Sequence, residues 1–139
     1  MGLRSVGRIK DTTVIQIKDP ATGRNFANVD GTPMTITIHG PYSARYKTVK
    51  RVADREIAEL ARGMDEAELT ETIEQRTRDT LLACIEDWSL TLDTGPKAAK
   101  IPFSPETAAE IFLEFPWLVE QVDRAFSKIA NFLEVRPAG

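Results

Sequence analysis

Between Met34 and Met64 the apolar period of the chain switches, and the switch limits the fold more than any other feature. Met34-Thr35-Ile36-Thr37-Ile38 alternates apolar and polar side chains, the pattern of a strand with one buried face. Gly40-Pro41-Tyr42-Ser43 ends it, and Ser43 is placed to cap a helix. Beyond it Tyr46, Val49, Ala53, Ile57, Leu60 and Met64 recur at spacings of 3 and 4, one stripe along that helix. A small sheet of this kind cannot stand alone in water. It must pack on a helix or on another copy of the chain.

The flanking segments extend both patterns. Thr12-Thr13-Val14-Ile15-Gln16-Ile17 is rich in β-branched residues, and Asp19 to Gly23 and Asp30-Gly31 supply turn chemistry. Gly63 interrupts the helical stripe. A second helix is expected over 65–89, opened by Asp65, Glu66 and Glu68 and carrying Leu69, Ile73, Leu81, Cys84 or Ile85, and Trp88. After a Gly95-Pro96 loop, Ser104-Pro105-Glu106 combines an N-cap, a proline at the first helical position and an acid at the positive dipole end. Pro116 ends that short helix and opens a last one, with Leu118, Val122, Phe126, Ile129 and Phe132 on one face.

The expected fold is mostly α, of the α+β class. An N-terminal β-hairpin or small sheet precedes about four helices, near 43–62, 65–89, 104–114 and 116–134. One domain covers residues 1–139, with a β-rich segment at 1–40, a helical part at 43–134 and a frayed tail at 135–139. Trp88, Phe112, Phe126 and Phe132 are expected in its core.

Composition narrows the function by exclusion. A chain of 139 residues with 42% apolar or aromatic side chains can bury a core without staples. Cys84 is the lone cysteine and favours a reducing compartment. The N-terminus shows no apolar run of the signal-peptide kind, and Phe115 to Val119 falls far short of the about 20 residues a bilayer needs, so no membrane is expected. His39 is the lone histidine, so zinc spacing is missing, and no G-x-x-x-x-G-K phosphate loop occurs. A His39–Cys84 nucleophile pair has no motif behind it, and Cys84 falls on an apolar helical stripe. The chain therefore reads as no enzyme, with no catalytic residue, no cofactor and no metal.

Charge is uneven. The net of −3 divides into +5 over residues 1–62 and −8 over 63–139. Such a split suits a head-to-tail contact between copies, a nucleic-acid-binding half, or composition noise. Lys50, Arg51 and Arg55 on the first helix are the candidates for self-association. Asp54, Glu56 and Glu59 dilute the same helix, which disfavours nucleic acid. Phe115-Pro116-Trp117 places two large rings at a turn, and Phe115 and Trp117 are the candidate partner-binding anchors.

The C-terminal half resembles the tail assembly chaperones of long-tailed bacteriophages. Ile85-Glu86-Asp87-Trp88-Ser89-Leu90, a Gly-Pro loop, Ile101-Pro102-Phe103-Ser104-Pro105-Glu106-Thr107-Ala108, Phe115-Pro116-Trp117-Leu118-Val119-Glu120-Gln121-Val122 and Ala130-Asn131-Phe132-Leu133 occur in the family's order. The match covers roughly residues 35–134. It implies a non-catalytic, helical protein of the host cytoplasm that forms a homo-oligomer, binds the tape-measure protein and is absent from the mature virion. It also implies a longer frameshifted form that reaches the major tail tube protein. Residues 1–34 have no counterpart in the resemblance. The alternatives are a structural tail or head-tail component retained in the virion and, third, a nucleic-acid-binding regulator.

Overall fold

The computed structural model describes residues 2–134; the tail expected at 135–139 lies outside them. Among the described residues one antiparallel sheet has the order β1-β2-β3-β4, from Thr12–Gln16, Thr35–His39, Ile85–Thr91 and Lys100–Ile101. Its helices are α1 (Ala44–Leu60), α2 (Glu66–Ala83), α3 (Pro105–Glu114) and α4 (Pro116–Ser127), followed by a 3-10 turn at Ile129–Phe132. The chain is thus α+β, a small sheet combined with four helices.

Register decides which sheet face is apolar. Ile15 pairs with Ile36, and Ile36 pairs with Trp88, so these side chains share one face with Ile38. α3 and α4 cover that face, and Ile36, Ile38, Trp88, Phe112, Leu118, Val122 and Phe132 join one buried cluster. The sheet's demand for a partner surface is met inside the chain.

β3 corrects the helix expected over 65–89. α2 ends at Ala83 with Cys84 as its C-cap, and the chain turns straight into a strand. The register shifts between Thr37 and Ile38, whose partners on β3 are Asp87 and Ile85, so Glu86 is an extra, bulged residue. The bulge resets the strand's alternation. Ile85 and Trp88 therefore both face the core at a spacing that imitates a helical stripe.

The other helix starts follow their caps. The Ser43, Asp65 and Ser104 side chains accept the backbone N–H of Tyr46, Glu68 and Thr107. α4 stops at Ser127, earlier than 134, because Lys128 leaves helical geometry at φ −95° and ψ 100°. Phe126 is half-buried rather than core, its ring 4.9 Å from that of Tyr46.

α1 and α2 form an antiparallel helical hairpin. Arg45 donates to the Ala83 carbonyl, Arg76 pairs with Glu56 at 2.9 Å, and the Thr72 hydroxyl meets the Met64 sulfur. No α1 residue is buried, and Leu81 is the buried one on α2. The predicted stripe of α1 forms a half-covered seam, not a core face. No helix among the described residues is long and apolar enough to cross a membrane.

Candidate functional site

Phe115, Pro116 and Trp117 form the junction of α3 and α4. Proline disfavours helical geometry in the residue before it, and Phe115 sits at φ −122° and ψ 78° as the single residue between the two helices. Pro116 then starts α4, where a missing N–H costs nothing. The two rings meet edge-on with centroids 5.8 Å apart, and the Phe26 ring lies 6.0 Å from that of Trp117. Phe115 and Trp117 are half-buried against the core. They are not free-standing anchors; they are walls.

What they wall is an apolar groove of about 130 Å³. Ile17, Phe26 and Met34 line it from the β1–β2 side, Leu90 and Leu92 from β3 and its end, and Ile111 and Leu118 from the helices. Thr91 is the single polar residue of the lining. The mouth includes Leu92, which is exposed. With so little polar character, the groove suits apolar side chains.

The sheet side of the groove has a sequence origin that the helical reading of 65–89 conceals. Leu90 and Leu92 alternate with Thr91 as a strand requires, and the Asn28 side chain braces that strand from the β1–β2 connection. Its amide donates to the Ser89 hydroxyl at 2.9 Å and its carbonyl accepts from the Thr91 hydroxyl at 2.9 Å. Asn28 is buried, and its polar atoms are satisfied.

Lys50, Arg51 and Arg55 do not share one face. The Lys50 ammonium donates to both Asp54 oxygens at 3.2 and 2.9 Å, and this contact raises its pKa. The pair rims a second hollow, of about 240 Å³, between the hairpin and α4, with Tyr46, Ala53, Ile57, Leu81 and Phe126 inside. Arg51 and Arg55, one turn apart, lie on the exposed back of α1 and form no ion pair among the described residues.

His39 and Cys84 are brought together only through the backbone, where the His39 N–H donates to the Cys84 carbonyl at 2.8 Å. Cys84 is 1% exposed, and burial pushes its thiol up to about 11. A thiol so protonated at neutral pH is a poor nucleophile. The His39 side chain lines an open basin with Arg45, Asp79 and Glu86. Among the described residues no group of three His, Cys, Asp or Glu side chains could hold a metal ion. No family model, no curated protein and no solved structure matches the chain, so geometry and sequence pattern carry the functional argument.

Proposed function

We propose that this protein is a non-catalytic tail assembly chaperone of a long-tailed bacteriophage. It holds segments of the helical tape-measure protein in the host cytoplasm, self-associates along that client, and leaves before the tail is complete. A longer frameshifted form would add contact with the major tail tube protein. The observation that carries the proposal is the open apolar groove walled by Phe115 and Trp117, since the same residues carry the family resemblance.

The groove's size suits transient capture. It has room for one or two apolar side chains of a client helix, and each buried large side chain contributes roughly 1.5–3 kcal/mol. One groove alone then binds weakly, because micromolar affinity needs about 8 kcal/mol. Several associated copies on one long client convert weak sites into firm but reversible capture by avidity.

Co-expression with the tape-measure protein tests this. The client is expected to be soluble only in the chaperone's presence, and purified mature tails are expected to lack the chaperone. A client that stays insoluble overturns the proposal. Stoichiometric amounts in mature tails would establish the retained structural component instead.

A further inference from the structure

We propose that copies of this chain stack through the outer faces of the helical hairpin, the basic back of α1 in one copy seating on the acidic back of α2 in the next. This names the contact for the self-association proposed above and does not depend on the client.

Helical periodicity puts Lys47, Arg51 and Arg55 on one line along α1, and Arg62 continues it in the turn beyond the helix. All four are exposed and make no ion pair among the described residues. The line lies opposite the seam, which uses Val49, Ala53 and Glu56. On α2 the seam uses Thr72, Arg76 and Thr80, the opposite face carries Glu71 and Glu74, and Glu66 stands on its flank in the first turn. These carboxylates border an open furrow whose other lining residues are the small Ala67 and Thr70. They too make no ion pair among the described residues. Glu59 beside the basic line and Arg78 near the end of the acidic one dilute each face without changing its sign.

The occupant follows from charge and shape together. One chain supplies both complementary faces, on helices of 17 and 18 residues, and the small residues of the furrow allow a second helix to approach. A free polyanion would satisfy only the basic back and would be repelled by α2. The two faces are different surfaces of the same copy, so the contact is heterologous and builds a ring or an open array rather than a symmetric dimer. The apolar groove is lined by the sheet, α3, α4 and their connections, so stacking leaves it free.

Sedimentation velocity of the full chain at low and high salt tests the contact with two charge-reversed variants. One carries Arg51→Glu with Arg55→Glu, the other Glu71→Arg with Glu74→Arg. Circular dichroism establishes that both are folded, as expected for exposed positions. Wild type is expected to form species larger than dimers that shrink with salt, because the Debye length shortens to about 8 Å at physiological ionic strength. Each variant alone is expected to be monomeric, since both of its faces then carry one sign. An equimolar mixture of the two is expected to restore the large species. The proposal is overturned if wild type is monomeric throughout, if either variant assembles like wild type, or if the mixture stays monomeric. A monomer that shifts only on adding duplex DNA would assign the basic back to nucleic acid and overturn it as well.

Discussion

The ring of Phe132 packs against Gly40, so close that a Cβ at position 40 would fall 2.5 Å from Cδ1 of the ring. The Gly40 carbonyl also accepts the Ser43 hydroxyl at 2.7 Å, which joins the end of β2 to the start of α1. Gly40→Ala therefore forces either the ring or this junction to move, at about 1–3 kcal/mol. Phe132→Ala is expected to cost about 3–5 kcal/mol, because the side chain is fully enclosed. Urea denaturation of both variants and of the double variant checks the pair. The glycine substitution should cost much less once the ring is gone.

Trp88 is a second core anchor, held by a polar contact as well. Its indole N–H donates to the Ile101 carbonyl at 2.9 Å, and Phe103 meets the ring edge-on at 5.0 Å. Trp88→Phe is expected to keep much of the packing and lose the hydrogen bond, at about 1–2 kcal/mol. Trp88→Ala should cost about 3–5 kcal/mol. Equal losses for the two would show that the indole N–H, not the ring, fixes β4 to β3.

The helix starts were legible because each uses a local code: Ser43, Asp65 and Ser104 cap helices one residue later, and Pro105 and Pro116 sit in first turns. The strand at 85–91 was not legible, because the Glu86 bulge lets Ile85 and Trp88 continue the spacing of Leu81 and Cys84. Tertiary pairing with β2 decides that segment, and nothing in its own pattern announces the pairing. The candidate site was half legible for the same reason. Phe115 and Trp117 stand out at a proline corner, whereas Leu90, Leu92, Phe26 and Met34 become a wall only once the strands are aligned.

Under the proposed function Trp117 would serve both stability and client binding, so a single variant must be read on both scales. The half-buried ring is expected to cost about 1–2 kcal/mol of stability when truncated to Ala, less than a core aromatic. Client affinity should fall by about 2 kcal/mol or more if the ring is a binding hot spot. Titration of folded Trp117→Ala with a soluble tape-measure fragment, at a temperature well below its melting point, separates the two. Unchanged affinity would remove the groove from the client site.

Cys84 makes the fold sensitive to alkali. The folded thiol is raised from 9.0 to about 11 by burial, so the native state resists ionisation that the unfolded chain allows. Stability from this group is full below pH 9.0 and is lost as the pH rises toward about 11. The slope is at most about 1.4 kcal/mol per pH unit. Melting temperatures between pH 8 and pH 11 (both on the order of one unit outside or at the thiol's range) should fall more steeply for wild type than for Cys84→Ala. Parallel curves would mean that the thiol ionises in place. A thiol reagent at neutral pH should label wild type only as fast as the protein opens.

The two ends of the described chain are stitched together. The Lys10 N–H donates to the Phe132 carbonyl, the Glu134 N–H to the Arg8 carbonyl at 2.8 Å, and Ile9 bridges to Leu133. During synthesis the sheet's first two strands and the helical hairpin emerge long before the segment that closes over them. A nascent chain therefore waits with the Gly40 end of its core uncovered until Phe132 has left the ribosome, and over that interval its apolar surface is open to proteases and holdases.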